Sequence, residues 1–325
     1  MRICLLTTQD LDADPFPDDD WPCDPRPFIS EAEWHAEDLT GQDSPARLDE
    51  LAAEGFDVFF NLCDAAADED RPGVEVVLAL EELGVPFTGA DSRFFEPTRP
   101  EMKQACVREG IPTPAYVLAK TEKDVAKAAK ELAYPQFVKH HSSYASISLS
   151  RMSRVTTPAG LARQSRKIMS RHSAALIEEY VDGPEYTVLV AEDPAEPDAP
   201  TTYQPMQFTF PAGEAFKHSD LKWVDYEDMG MVPVTDPELD AVLRDYSARF
   251  FRALGGVGFG RCDLRLDPDG NAHMLEINPN CGVFYPAESY GAADACLDND
   301  PAGHEGFARQ LIAAALARQE RRSPA

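Results

Sequence analysis

The chain is short of positive charge and of long apolar runs, and each shortage excludes a class of function. Thirty basic residues stand against 57 acidic ones in 325, a formal net charge of −27. A nucleic-acid surface needs a basic footprint to displace counter-ions from phosphates, so nucleic acid is not an expected partner. An anionic membrane surface is disfavoured on the same ground. No apolar stretch reaches the roughly 20 residues that a membrane-spanning helix requires. The first eight residues carry one Arg and a short apolar run leading into an acidic segment. They lack the extended apolar region and cleavage site of a signal peptide and read as a first β-strand. Seven cysteines (Cys4, Cys23, Cys63, Cys106, Cys262, Cys281, Cys296) form no C-x-x-C pair. Free thiols in a reducing compartment are therefore expected, not a disulfide frame or a zinc site, and the cytoplasm is the expected location. Two phosphate-binding signatures are also missing. Strand one runs into Thr7-Thr-Gln-Asp10 without G-x-G-x-x-G, and no GxxxxGK[ST] segment occurs.

What is present is unevenly spread. Residues 1–100 hold 25 acidic residues and six arginines but no lysine, so every lysine lies in the remaining two-thirds. A bound polyanion belongs there. The length favours two or three packed lobes over one core. In the first hundred residues strand and helix signals alternate: strand 2–8, helix 46–54, strand 56–63 (FDVFFNLC), helix 74–83 and strand 85–88. That is the βαβ rhythm of a small parallel sheet. Residues 10–26, rich in Asp and Pro, read as a long acidic loop, either solvated or a substrate-shielding lid.

Beyond residue 99 the pattern predicts a helix over 100–110, a strand around Tyr116, a helix over 121–132 and a strand over 136–140. A strand over 148–155, a helix over 159–170 and a strand over 174–179 follow. The last part reads as strands 186–191 and 203–210, a helix over 238–254, a hairpin of 262–266 with 273–277, and a final helix over 306–321.

Three places carry chemistry. Asp263 lies on one hairpin strand; Glu276 and Asn278 lie two apart on its partner and share a face. Three oxygen ligands on adjacent strands suit a hard cation such as Mg²⁺, although a salt-bridged polar face with Arg261 fits the same residues. Lys139 ends a buried strand and opens into a loop of small hydroxyl residues, suited either to a phosphate or to plain solvent exposure. The strand–turn–strand from Ile177 to Val188 either offers backbone groups to an adenine edge, with Glu185 placed for ribose hydroxyls, or carries ordinary exposed acids.

In this order the motifs resemble the ATP-grasp superfamily, and more narrowly its D-alanine–D-alanine ligase-like branch. They comprise Val85-Pro-Phe-Thr-Gly-Ala, Thr98-Arg-Pro-Glu-Met-Lys103, Phe137-Val-Lys139, the run Glu178–Val181, Gly183-Pro-Glu-Tyr-Thr-Val, Gly258-Phe-Gly-Arg261-Cys-Asp263 and Leu275-Glu276-Ile-Asn278-Pro. Each is a weak signal alone; their collinear coincidence is strong. The resemblance implies an α/β chain with α+β lobes: an ATP-grasp fold behind an N-terminal Rossmann-like parallel-sheet domain. The implied divisions are 1–98, 99–182 (central lobe) and 183–325 (C-terminal lobe). It further implies that Lys103 and Lys139 contact ATP phosphates and that Ser143, Ala145 and Ser146 belong to the phosphate-covering loop. Adenine would fall to Glu178 and the backbone of Glu179 and Val181, with Tyr180 also in the cofactor site, and ribose to Glu185. Lys222, with Lys217 as competitor, would reach the nucleotide. Asp263, Glu276 and Asn278 would hold two Mg²⁺ ions, with Mn²⁺ as a substitute. Arg261, with Lys222 and Ser146, would serve the transferred phosphoryl group.

The implied activity is ATP-dependent ligation of a carboxylate to an amine through an acyl phosphate, with small amino-acid-like substrates and, by analogy, a homodimer. A nucleotide-binding regulatory protein and a small-molecule kinase are the rival readings. The retained metal and phosphate residues argue against the first; the second keeps the same phosphoryl step. Some segments depart from the D-alanine–D-alanine ligase pattern. Asn61-Leu-Cys-Asp-Ala-Ala-Ala-Asp-Glu-Asp replaces a glycine-rich segment with a histidine, and no acidic residue clearly matches just after strand one. The acceptor loop Asn280-Cys-Gly-Val-Phe-Tyr-Pro is bulkier and more aromatic than expected, and Phe284 and Tyr285 read equally as pocket wall or core. Asp64, Asp68, Glu69 and Asp70 read as a solvated acidic loop or as an ammonium site. Cys262 and Cys281, beside the metal set, read as buried structural thiols more readily than as nucleophiles.

Overall fold

The computed structural model describes residues 1–8, 23–40, 44–66, 71–142, 149–211, 213–216 and 229–322. Ser143, Ala145, Ser146, Lys217 and Lys222 lie outside the described residues, as do Asp68, Glu69 and Asp70 and most of the acidic loop.

The N-terminal sheet is parallel, in the order β2 (Glu33–Asp38), β1 (Arg2–Thr7), β3 (Val58–Asn61). Its helices are α1 (Ser44–Ala53) and α2 (Val74–Leu83). Strand β2 was not expected from its sequence, Glu-Trp-His-Ala-Glu-Asp. It is an edge strand with no fully buried side chain, so it carries no apolar alternation. Backbone pairing makes its ladder to β1, from Arg2↔Glu33 to Thr7↔Asp38. The strand expected at 85–88 is reduced to one parallel bridge, Phe59↔Phe87, because Pro86 has no N–H to extend a ladder.

Helix α3 (Arg99–Glu109) starts at a reciprocal cap, in which the Thr98 N–H donates to Glu101 Oε2 at 2.7 Å and Thr98 Oγ1 accepts from the Glu101 N–H at 3.4 Å. It stops at Gly110, whose φ of 65° is the left-handed conformation that ends many helices. Next comes an antiparallel sheet in the order β4 (Tyr116–Ala119), β7 (Ala175–Glu179), β5 (Gln136–His140), β6 (Arg154–Val155), with helices α4 (Glu122–Glu131) and α5 (Pro158–His172). The strand expected at 148–155 is only two residues long and follows a 3₁₀ turn at Arg151–Ser153.

The C-terminal sheet runs β11 (Gly230–Pro233), β10 (Met206–Thr209), β8 (Glu185–Ala191), β12 (Phe259–Leu266), β13 (Ala272–Pro279), with β9 (Thr201–Thr202) paired to β8. Helices α6 (Pro237–Ala253), α7 (Ala292–Asp298) and α8 (Gly303–Arg322) complete it. The short α7 had no clear signal in a run of Ala, Cys and Asp, and is held by a buried Asp294 at its start.

Core packing decides where a cleft can open. The central sheet has its own core (Val125, Ala128, Val138, Leu161, Ile168, Ile177). Met102, Ala105 and Cys106 of α3 instead pack with Val188, Phe250 and Leu264 of the C-terminal unit. Two separately packed bodies therefore meet across β5–β7 on one side and β12–β13 on the other. Among the described residues no helix is long and apolar enough to cross a membrane, and the seven cysteines are free thiols.

Candidate active site

A cleft lies where these bodies meet. Pro114, Phe137, Leu149, Tyr180, Val181 and Phe216 supply its apolar wall, and Lys139, Glu178, Arg261, Asp263, Glu276 and Asn278 its charged and polar part.

Antiparallel register assembles the polar part. Asp263 of β12 pairs with Glu276 of β13, and Arg261 with Asn278, which puts all four on one face as the alternation demanded. Arg261 holds Asp263 through Nε and Nη2, each at 3.2 Å, and Asn278 Nδ2 donates to Asp263 Oδ2 at 3.2 Å. Thr187 Oγ1 fixes the other Asp263 oxygen from the neighbouring strand at 2.8 Å.

The lysines arrive from different elements. Lys103, 0% exposed on α3, and Lys139, at the end of β5, grip the two oxygens of Glu178 at 2.6 and 2.8 Å. Lys103 Nζ also donates to Thr113 Oγ1 at 2.8 Å. Lys139 reaches Glu276 Oε2 at 3.6 Å, and Arg99 binds the same oxygen through Nε and Nη2 at 2.9 Å. Glu178 thus acts as a counter-charge between the lysines. Beyond it, the Val181 N–H has no backbone acceptor among the described residues. The Glu179 carboxylate accepts from the Ala133 N–H at 2.8 Å.

The electrostatics favour the charged forms of Glu178, Glu276 and Arg261. Burial alone would raise the Glu178 carboxyl, but Lys103 and Lys139 outweigh it and the group sits below its ordinary value. Burial lowers the Lys103 ammonium, only partly opposed by Glu178. Glu276 is pulled far below the usual carboxylate range despite burial, by Arg99 and then Lys139. Burial opposes the Arg261 cation, and Asp263 more than restores it.

The donor set fits a hard divalent cation. Two carboxylates and one amide oxygen share a sheet face, and Arg99 and Lys139 keep the Glu276 carboxylate deprotonated, the form a metal requires. Among the described residues no group of three His, Cys, Asp or Glu side chains forms a rival site.

The thiols are structural. Cys262 is fully buried, and burial pushes Cys281 up to about 12, so neither is a thiolate near neutrality. A disulfide reagent is expected to leave both unmodified in the native protein at pH 8, and Cys281→Ala to keep turnover within about threefold of wild type; mass spectrometry and a steady-state assay check the two. Phe284 is core: it is 2% exposed and lies 5.8 Å, ring to ring, from Phe28, Phe60 and Phe307. Asp64 faces Arg71 at 3.7 Å.

Arg99, Thr113, Thr187 and Arg265 were missed as site residues. Arg99 lies one helical turn before Lys103, a spacing that puts both on one face and was legible in Thr98-Arg-Pro-Glu-Met-Lys103. Arg265 continues the alternation of Arg261 and Asp263.

The family described as D-ala D-ala ligase C-terminus matches residues 106–286. A D-alanine–D-alanine ligase from Oleidesulfovibrio alaskensis is 32% identical over 238 residues, 71% of each chain. One from Pseudomonas fluorescens is 28% identical over 73% of this chain and 69% of its own. The crystal structure of the Bacillus anthracis D-alanine–D-alanine ligase complexed with ATP superposes with a TM-score of 0.69 at 15% identity, covering 99% of this chain and 100% of that one. The D-Ala:D-Ser ligase VanG from Enterococcus faecalis gives 0.68 at 14% identity, over 97% of this chain and 99% of its own. Fold and cleft together define an ATP-grasp ligase, an enzyme that joins a carboxylate to an amine with ATP. Within that class the chain belongs to the D-alanine–D-alanine ligase family.

Proposed function

We propose that the cleft holds ATP with its triphosphate along Lys103, Lys139 and Arg261, and joins a small amino-acid-like carboxylate to an amine. The observation that carries this is the connected set Arg99, Lys103, Lys139, Glu178 and Glu276, an alternating cation–anion network beside the Arg261–Asp263–Asn278 face. A carboxylate is a poor acylating agent because its leaving group would be oxide. Transfer of the γ-phosphoryl group to one carboxylate oxygen releases ADP and gives an acyl phosphate. The amine nitrogen then attacks the carbonyl carbon, the carbon–oxygen bond to phosphate breaks, and the amine proton leaves to phosphate or solvent. Such a reaction needs alignment and charge neutralisation and no covalent protein nucleophile.

In this reading Arg261 faces the transferred phosphoryl group and later the tetrahedral oxyanion. Asp263, Glu276 and Asn278 are the residues that would hold two Mg²⁺ ions, with Mn²⁺ as a substitute. Bound there, the metal would neutralise phosphate charge. The apolar wall and the Val181 amide take the adenine and Glu185 the ribose. Ser143, Ala145 and Ser146 cover the phosphates and Lys222 or Lys217 approaches the nucleotide, on the strength of the motif order alone. The divisions 1–98, 99–182 and 183–325 remain part of this reading, supported by one sheet falling in each range, although α3 packs its apolar face on the C-terminal unit; free thiols agree with a cytoplasmic protein.

Hydroxylamine provides the test. With ATP, magnesium and a panel of amino acids and small carboxylates, a hydroxamate is expected together with ADP. A phosphorylated alcohol without hydroxamate would identify a kinase and end the ligase mechanism.

A further inference from the structure

Arg265 is unused by the roles assigned so far, yet it is 4% exposed and lines the cleft. On β12 it follows Arg261 and Asp263 at every second position, so the three point to one face. Directly across the ladder, Arg265 pairs with Glu185 of β8, itself 5% exposed. Its Nε lies 3.7 Å from Glu185 Oε2, too far for a good hydrogen bond, and although buried has no hydrogen-bond acceptor among the described residues. The rest of the guanidinium is fixed. It sits 4.8 Å from the Tyr180 ring centroid, and its Nη2 donates to the Ala215 carbonyl, which also accepts from the Tyr180 hydroxyl at 3.2 Å. Arg265 is therefore held rigidly with one buried donor to spare.

We propose that Arg265 and Glu185 together read the sugar of the bound nucleotide, with Arg265 setting preference for a ribose over a 2′-deoxyribose. This rests on the nucleotide reading above. Position is the first argument. Arg265 lies between the Phe137–Tyr180–Phe216 wall, the natural seat for a base, and Asp263, where phosphate charge gathers. Between base and phosphate a nucleotide has its sugar. Chemistry is the second argument. A carboxylate only accepts and a guanidinium only donates, whereas a hydroxyl does both. A vicinal diol can donate to Glu185 and accept from Arg265, which gives the spare Nε its acceptor. A sugar lacking the 2′-hydroxyl leaves the buried Arg265 Nε without its acceptor, and unmet buried polar groups reject analogues more sharply than missing apolar contact does.

Calorimetric titration of wild type, Arg265→Met and Arg265→Lys with ADP and with 2′-deoxy-ADP, each with magnesium, tests this. Wild type is expected to bind ADP about tenfold or more tighter than the deoxy form. Arg265→Met should weaken ADP by about tenfold and bring the two Kd values within about twofold; Arg265→Lys, which keeps the charge and loses the planar fork, should fall between. Equal weakening of both ligands, with the ratio preserved, would reduce Arg265 to a wall support and overturn the inference, as would an unaltered Arg265→Met. If Arg265→Met does not fold, the ratio in Arg265→Lys decides. A wild type that binds neither nucleotide overturns the nucleotide reading itself and this inference with it, a result distinct from the others.

Discussion

Asn278→Ala is expected to abolish ADP release, by a factor of about a thousand or more, while the protein stays folded. The side chain is only half-buried, and its hydrogen bonds are one from the amide to Asp263 at 3.2 Å and a longer one to the Arg261 carbonyl at 3.4 Å. Losing such bonds costs about 1 kcal/mol. Asp263 keeps Arg261 and Thr187, so it is not left as an unpaired buried charge. Turnover is exposed to a larger loss, because the amide oxygen is one of three donors on the face proposed to hold the metal. A coupled ADP assay and a thermal melt separate the two effects. Unchanged turnover in a folded variant would remove Asn278 from the metal set.

The parts of this site legible in sequence were those fixed by local rules. Alternation on two strands placed Asp263, Glu276 and Asn278 on a common face, and the register agrees. The end of an apolar strand marked Lys139. Less legible was anything decided by partners far away in the chain. The Glu178 carboxylate also neutralises two lysines that come from α3 and β5. Nothing around residue 178 announces those partners. Arg99 shares a helix face with Lys103, but nothing local identifies its partner Glu276, 177 positions away. Strand β2 was invisible for a related reason: a half-exposed edge strand can form on backbone pairing, which leaves no imprint on side-chain pattern. Phe284 was ambiguous until its ring neighbours were known, since a core aromatic and a pocket aromatic have the same composition.

Glu178→Gln carries the second large effect, on stability. Glu178 is 3% exposed and is the shared counter-charge of Lys103 and Lys139 at 2.6 and 2.8 Å. Removing one partner of a buried ionic cluster leaves uncompensated charge and costs about 3–5 kcal/mol, so the melting temperature should fall by on the order of 10 °C. The pH dependence has a definite sign. Glu178 is depressed below its ordinary 4.5 in the folded protein, so its contribution is fully present above 4.5 and lost as the pH falls through the depressed value. The variant lacks that acid-side loss, and its deficit should shrink below pH 4.5. Lys103 is lowered from 10.5, so between its folded value and 10.5 the unfolded chain binds the extra proton and stability rises with pH. Without Glu178 that lowering deepens, and the deficit should also narrow as the pH rises from neutrality. Adding Lys103→Met to Glu178→Gln is expected to recover part of the loss, because one unpaired buried ammonium is removed with its partner. Denaturant melts of wild type, Glu178→Gln, Lys103→Met and the double variant across pH check this. A deficit that is flat with pH, or a double variant no better than Glu178→Gln, would mean that the lysines do not depend on Glu178 for their charge.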